Sequence, residues 1–215
     1  VPTGNFGDIF AGYCAARMGL PIRTLAIATN ANDILARTIQ TGRYEVTGVT
    51  PTISPSMDIQ VSSNFERLLF EAVDRDADAV KSMMSGLKQS GGFSIPDQGM
   101  AAIRRQFVAG RTDEAATAAT IRAVETASGY LLDPHTAVGV AVARSLVGGS
   151  APVVTLATAH PAKFPAAVKA AAGIEPVLPA WLSDLYEREE RLTVLNNDQS
   201  EVEQFIAARS RAGGA

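Results

Sequence analysis

Apolar residues follow two patterns along the chain, short continuous runs and helical stripes. Residues 24–29 form an apolar run between Pro21 and Asn30, which predicts a buried strand. Bulky apolar residues recur at helical spacing on both sides of that run, from Ile9 to Met18 and from Ile34 to Ile39. Helices that alternate with buried strands are typical of an α/β domain, a twisted parallel sheet with flanking helices.

The same patterns continue beyond this first unit. We expect helices at 65–73, 99–132, 137–146 and 164–172. The helical segment 99–132 should break and begin again with a cap at 110–114. We also expect an irregular segment at 81–97 and a second buried strand at 152–157. The last part of the chain differs, because it has two prolines and an acidic run at 186–191 before a final helix near 202–208. We therefore predict two parts: residues 1–175 belong to the α/β domain, and residues 176–215 form an acidic helical tail that packs on it.

Composition and charge narrow the class of protein. The chain has 215 residues, 47% of them hydrophobic, and a mean hydropathy of +0.10, which excludes disorder as the dominant state. The net charge of −3 lies in the tail, so the main body offers no basic surface for nucleic acid. One cysteine and two histidines cannot make a disulfide framework or a conventional structural zinc site. No apolar run reaches the roughly 18 residues of a membrane helix, and we expect a cytoplasmic protein.

The segment Gly4-Asn5-Phe6-Gly7-Asp8 follows a predicted strand end and precedes a predicted helix. Backbone N–H groups at a helix N-terminus favour an anion, most usefully a phosphate, and the glycines let it approach closely. An ordinary strand-to-helix turn with Asp8 as the N-cap is an equally good interpretation. The Asp8 carboxylate would oppose a phosphate if it faced the loop.

Thr158 follows the second predicted strand, and ligands bind at the carboxyl ends of strands in open α/β sheets. Its hydroxyl could instead only cap the loop. His160 precedes a proline, and a single loop histidine of this kind is more often structural than catalytic.

Six segments of the chain resemble, in order, blocks of one enzyme family, threonine synthase. The blocks are Val1–Tyr13, Ala28–Leu35, Ser54–Ile59, Ser62–Arg67, Leu132–Val140 and Thr158–Phe164. The resemblance implies a pyridoxal 5'-phosphate (PLP) enzyme of the tryptophan-synthase-β-like fold, in which residues 1–175 would form the carboxyl-terminal part of the large cofactor-binding domain. It also implies conversion of O-phosphohomoserine and water to threonine and phosphate.

The resemblance assigns roles to residues of both candidate loops. The loop that holds the cofactor phosphate falls on residues Gly4, Asn5, Phe6, Gly7 and Asp8. The hydroxyl that meets the pyridine nitrogen falls on Thr158, and a neutral partner there tempers the cofactor as an electron sink. Asn64 and Arg67 could face the substrate or only begin a solvated helix.

One feature of the family does not fall on this sequence. Members bind the cofactor as a Schiff base on a lysine that lies well before the glycine loop, and the chain has only Lys81, Lys88, Lys163 and Lys169, none in an activating context. We therefore expect the carboxyl-terminal portion of a threonine synthase, without a catalytic residue of its own, inactive alone and partnered by the amino-terminal part. The alternatives are a dehydratase of the same fold that acts on another hydroxy-amino acid, and a non-catalytic phosphate-binding domain.

Overall fold

A computed structural model describes residues 1–146 and 148–211 of the chain. The chain divides into two compact units, Val1–Val177 and Leu178–Ala215. The helices are α1 (Gly7–Arg17), α2 (Ile34–Thr41), α3 (Phe65–Ala72), α4 (Ala77–Ser90), α5 (Asp97–Arg104), α6 (Glu114–Ser128), α7 (Pro134–Leu146), α8 (Pro165–Ala172) and, in the second unit, α9 (Gln199–Arg209); the strands are β1 (Leu25–Thr29), β2 (Arg43–Glu45), β3 (Gly92–Ser94) and β4 (Phe107–Arg111). The boundary expected near residue 175 and the docking of the tail stay predictions.

A parallel sheet lies at the centre of the first unit. Strands β1 and β4 pair in parallel, with Leu25 opposite Phe107. The start of the chain runs parallel to the other side of β1, where the Thr3 N–H donates to the Ala28 carbonyl and the Ala28 N–H donates to the Val1 carbonyl. The carboxyl end of this first segment therefore leads directly into the loop before α1.

Helices cover both the sheet and one another. Helices α1, α2 and α7 contact β1, and α7 also packs on α6, which in turn packs on α8. The main core joins the apolar stripes of α2 and α3 to the inner face of β1, with Phe6, Ile27, Leu35, Phe65 and Phe107 fully buried or nearly so. The α/β class, the parallel sheet and the flanking helices are confirmed.

Two elements between α3 and α6 differ from the sequence-based expectation. Most of the segment 81–97 is regular, since residues 81–90 belong to α4 and residues 92–94 form β3, which pairs antiparallel with β2. Gly86 lies within α4 without breaking it. A Cβ at this position would lie 3.3 Å from the Gly92 carbonyl oxygen, so the glycine lets β3 pass close to the helix. Strand β4 lies inside the segment expected to be helical, because pairing with β1 overrides its weak helical pattern. The expected restart of the helix by a cap is confirmed, since the Asp113 carboxylate accepts from the Ala116 N–H.

The buried strand expected at residues 152–157 is wrong. The segment has no regular secondary structure, no backbone group among the described residues pairs with it, and the side chain of Val154 is 78% exposed. A strand needs a hydrogen-bonded neighbour, and here one face of the segment packs only at Thr155, beside Pro2 and Gly139. We refer to residues 152–157 as the open edge.

Within the ranges that the structure describes, no helix is both long enough and apolar enough to cross a membrane.

Candidate anion-binding site

The loop between the first parallel segment and α1 has its carbonyl groups turned to one side. The Ser62 hydroxyl donates to the Gly4 carbonyl over 2.8 Å. The backbone N–H and the side-chain amide of Asn64 both donate to the Asn5 carbonyl over 3.0 Å. Because a trans peptide directs its N–H opposite to its C=O, the N–H groups of Asn5 and Phe6 point away from Ser62 and Asn64. We call residues 4–8 the anion loop.

The N–H groups of the anion loop are available to a ligand. Among residues 1–146 and 148–211, nothing accepts a hydrogen bond from the backbone N–H of Gly4, Asn5, Phe6 or Asp8, whereas that of Gly7 donates to the Asn5 side chain over 2.8 Å. These donors lie at the positive end of the 11-residue helix α1. The arrangement can hold an anion such as a phosphate without a basic side chain.

Phe6 holds the loop in its bent form. Its backbone is left-handed, with a φ of 70°, which is unfavourable for a residue with a Cβ. The ring is 1% exposed and packs against the rings of Phe65 and Phe107 at centroid distances of 5.2 and 6.0 Å. Burial of the ring therefore offsets the backbone strain and fixes the start of α1.

Asp8 does not cap α1, contrary to the alternative interpretation of this loop. The N-cap is Phe6, which has no capping side chain, and Asp8 lies exposed in the first turn. Its carboxylate accepts no hydrogen bond from the described residues. The turn is thus not explained by a capping carboxylate, and its remaining donors are left for a ligand.

Gly4 is required by close packing rather than by its backbone conformation. A Cβ at this position would lie 2.8 Å from the Ser56 carbonyl oxygen and 3.2 Å from the Met57 Cα. Ser56 belongs to a short 3-10 helix, Pro55–Met57, which therefore backs the anion loop. The short helix and the first residue of the loop therefore pack closely against each other.

A carboxylate clasp holds the segment that carries this short helix. Asp58 Oδ1 accepts from the Asn30 and Asn32 side-chain amides over 2.8 and 2.9 Å and from the Thr52 hydroxyl over 2.7 Å. Its Oδ2 accepts from the Thr52 N–H over 2.7 Å. Asn30 and Asn32 follow β1, so the clasp ties residues 50–60 to the carboxyl end of the central strand.

A buried acid–histidine pair supports the same short helix from the other side. Asp133 Oδ1 lies 3.1 Å from His135 Nδ1, and His135 Nε2 accepts from the Ser56 N–H over 3.2 Å. Asp133 also accepts from the hydroxyl of Thr136. Burial raises the pKa of Asp133, but the hydrogen bonds from His135 and Thr136 outweigh it, so that its pKa lies below the usual range. The carboxylate is thereby held ionised, and the Phe164 ring covers the imidazole at 4.6 Å.

The second predicted loop does not carry its hydroxyl on a buried strand. Thr158 is exposed and follows the open edge, and its assignment to the pyridine nitrogen stays a prediction. His160 has a structural role, because its Nδ1 accepts from the Ala162 N–H and caps the 3-10 helix Pro161–Lys163.

The two residues at the start of α3 face the same open cleft. Asn64 and Arg67 line this cleft of about 430 Å³ together with Gly7 and apolar residues of α1. Asn64 also donates to the Asn5 carbonyl of the anion loop. Sequence reasoning missed the roles of Ser62, Asp58 and His135, although all three lie in the blocks that carry the resemblance.

None of the four lysines occupies an activating environment. All four are exposed. The ammonium of Lys169 lies 2.8 Å from Glu175, which raises its pKa and favours the charged form. Lys163 lies over the Phe164 ring at 5.8 Å. A lysine that reacts as a nucleophile needs the opposite environment, one that lowers its pKa.

Known proteins match both the sequence and the fold. A family model described as "Threonine synthase, C-terminal" matches residues 136–206. The chain is 51% identical over 99% of its length to a threonine synthase from Pseudomonas aeruginosa and 41% identical over 96% to one from Corynebacterium glutamicum. It covers 46% and 44% of these relatives, so the chain spans about half the length of the curated relatives it matches.

Solved structures show the same relationship. The crystal structure of PLP-bound threonine synthase from Brucella melitensis is 64% identical, with a TM-score of 0.89 over 98% of this chain and 45% of that one. The threonine synthase from yeast is 38% identical, with a TM-score of 0.82 over 95% of this chain. The α/β fold described above is therefore part of the tryptophan-synthase-β-like fold. The chain is therefore similar, over nearly its whole length, to about the carboxyl-terminal half of threonine synthases.

Proposed function

We propose that this chain is the part of a threonine synthase that binds the phosphate of PLP, in an enzyme that converts O-phosphohomoserine and water to threonine and phosphate. The observation that carries the proposal is the anion loop, with two carbonyls tied back to Ser62 and Asn64 and four N–H groups free of partners in the described residues. The threonine synthase from Brucella melitensis, whose structure matches this chain, binds PLP.

The loop fits a phosphate monoester in its chemistry. It supplies backbone donors and a helix N-terminus, which recognise a dianion without adding a mobile charge. Gly4, Asn5, Phe6 and Asp8 would hold the phosphate through their free N–H groups, while Gly7, whose N–H donates to the Asn5 side chain, keeps the shape of the loop. The buried Phe6 ring keeps the donors in place before the ligand arrives. A preformed site loses less entropy on binding than a loop that must fold around its ligand.

The reacting end of the cofactor would be held by other groups. When bound, PLP supplies an electron sink for the carbon next to the amino group of the substrate. We assign the Thr158 hydroxyl to the pyridine nitrogen, where a neutral hydrogen-bond partner does not keep that nitrogen protonated. The covalent link and the proton transfers at the substrate need an activated lysine, and the four exposed lysines here do not provide one. We therefore assign that lysine to the amino-terminal portion of the enzyme.

The experiment joins this chain to the amino-terminal portion of the Brucella melitensis threonine synthase. We expect the joined protein, supplied with PLP, to release phosphate and form threonine from O-phosphohomoserine, and the 215-residue chain alone to do neither. After borohydride reduction, peptide mapping should find the cofactor on the amino-terminal portion only. Cofactor trapped on a single lysine of this chain would contradict the assignment.

A pair of glycine substitutions tests the anion loop within the joined protein. Gly4→Ala places a methyl group 2.8 Å from the Ser56 carbonyl oxygen, whereas a methyl group at Gly148 meets nothing within 4 Å. Overpacking of this kind costs about 1 to 3 kcal/mol, so Gly4→Ala should weaken PLP binding while Gly148→Ala behaves as the wild type.

If the folded, PLP-loaded protein instead deaminates serine or threonine and leaves O-phosphohomoserine unchanged, the dehydratase alternative is correct.

A further inference from the structure

We propose that Asp133 and His135 are positioning residues for phosphate binding, and that they set the anion loop through the backbone of Ser56. The inference rests on the proposed function of that loop. Neither side chain reaches the loop itself, so their effect depends on the short helix Pro55–Met57 that lies between them and Gly4.

The first step is the fixed orientation of the imidazole. Asp133 and His135 are 2% and 3% exposed, and Asp133 Oδ1 also accepts from the His135 backbone N–H over 2.8 Å. An ionised carboxylate next to Nδ1 keeps the proton on that nitrogen, which leaves Nε2 as an acceptor. The Phe164 ring packs against the imidazole and limits its rotation.

The second step is the link through Ser56. Its N–H donates to His135 Nε2 over 3.2 Å, and its carbonyl oxygen is the atom that a Cβ at Gly4 would meet at 2.8 Å. One peptide segment thus contacts the imidazole on one side and the anion loop on the other. The imidazole therefore fixes how close the short helix lies to Gly4, and with it the position of the first loop donors.

The test compares two substitutions of His135. In His135→Asn, the amide nitrogen can donate to Asp133 as Nδ1 does, but the side chain is too short to accept from the Ser56 N–H. In His135→Gln, the side-chain oxygen can lie where Nε2 lies and keep the hydrogen bond from Ser56. Ile103→Val, a change in a side chain that is 1% exposed and belongs to the main core, serves as a control for loss of stability alone.

The readout is binding of inorganic phosphate and of PLP to the 215-residue chain, at a temperature where each variant is folded. Dissociation constants come from calorimetry, and amide chemical shifts of residues 4–8 and Ser56 report the place of binding. We expect His135→Asn to bind about two- to tenfold more weakly, the range of one neutral hydrogen bond, and His135→Gln and Ile103→Val to bind as the wild type. The Ser56 amide shift should change in His135→Asn before any ligand is added.

Three outcomes would overturn the inference. Equal affinity of His135→Asn and the wild type would show that the link does not matter, and equal weakening in the glutamine variant or the Ile103→Val control would show a general loss of stability. If the loop amides of the wild-type chain do not respond to either ligand, the proposed function is refuted as well. The failure of the inference alone differs from this outcome, because the wild-type amides then still respond. If His135→Asn does not fold, the wild-type chain serves instead: phosphate binding at residues 4–8 should then also shift the Ser56 amide and His135 Nε2 resonances, and their failure to shift would overturn the inference.

Discussion

The Asp58 clasp gives the sharpest test of how residues 50–60 are held. Asp58 accepts four hydrogen bonds, three at Oδ1 and one at Oδ2, from donors on Asn30, Asn32 and Thr52. Asp58→Asn keeps the shape but replaces one oxygen by a donor. The amide must then face either the three donors or the single Thr52 N–H.

The smaller of these two losses sets the expected magnitude. Turning the amide nitrogen toward the Thr52 N–H removes one hydrogen bond to a charged group, worth about 1.5 to 3 kcal/mol, and the other three bonds weaken because their acceptor becomes neutral. We expect the free energy of unfolding to fall by about 2 to 4 kcal/mol. A unit of this size loses roughly 2 to 4 °C in Tm for each kcal/mol.

Urea unfolding followed by circular dichroism measures this change. Asp78→Asn is the matched control, because Asp78 is an exposed carboxylate in the first turn of α4 whose effect on the helix dipole is worth less than about 1 kcal/mol. The clasp would be refuted as a stabilising feature if Asp58→Asn unfolded within 0.5 kcal/mol of the control, a difference of roughly the size of surface effects.

Three further predictions concern the loop and its support. Asp8→Asn should strengthen phosphate binding about two- to fivefold at low ionic strength, since it removes a negative charge from the first turn; calorimetry at two salt concentrations should show the gain shrinking as salt rises. Tyr44→Phe should lower the free energy of unfolding by about 1 to 3 kcal/mol, because the buried hydroxyl accepts from the Ser62 N–H over 2.8 Å and its loss leaves that donor unpaired. An unchanged free energy in urea unfolding would argue against this role of the hydroxyl. The pKa of Asp133 is lowered in the folded state, so its ionised carboxylate stabilises the fold at pH values above the ordinary carboxyl pKa. This stabilisation is lost as the pH falls through the folded-state pKa. Asp133→Asn should therefore make the free energy of unfolding less dependent on pH in that acid range.

The sequence predicted the elements whose signal is local. Strand β1 is a continuous apolar run with a proline before it, and α7 starts at Pro134 directly after a capping aspartate, so both were predicted within a few residues. Strand β4 was not, because five residues with two small side chains carry little signal, and pairing with β1 decides their conformation. Residues 152–157 failed in the opposite way: Val153, Val154 and Leu156 have a strand composition, but no partner strand lies beside them in the described ranges.

The anion loop was predicted as a candidate site from its glycines and its place between a strand and a helix, but the groups that shape it were not. Ser62 and Asn64 turn the loop carbonyls away, and they lie nearly 60 residues further along the chain. The Asp58 side chain meets Asn32 across 26 positions, and His135 meets Ser56 across 79. Contacts of this range depend on how the elements pack, which no local pattern contains. The resemblance marked these residues as parts of ordered blocks without showing what each one contacts.

The open edge has a consequence for how the chain behaves in solution. The backbone N–H and C=O groups of residues 152–157 have no partner in the described residues, and Val153 and Val154 are 53% and 78% exposed. Such an edge is a template for intermolecular strand pairing, and the segment has no charged residue to oppose it. Aggregation of the purified chain would therefore begin at this segment while the core is still folded, and its solubility would respond to a lysine at Val154 more than to added core stability.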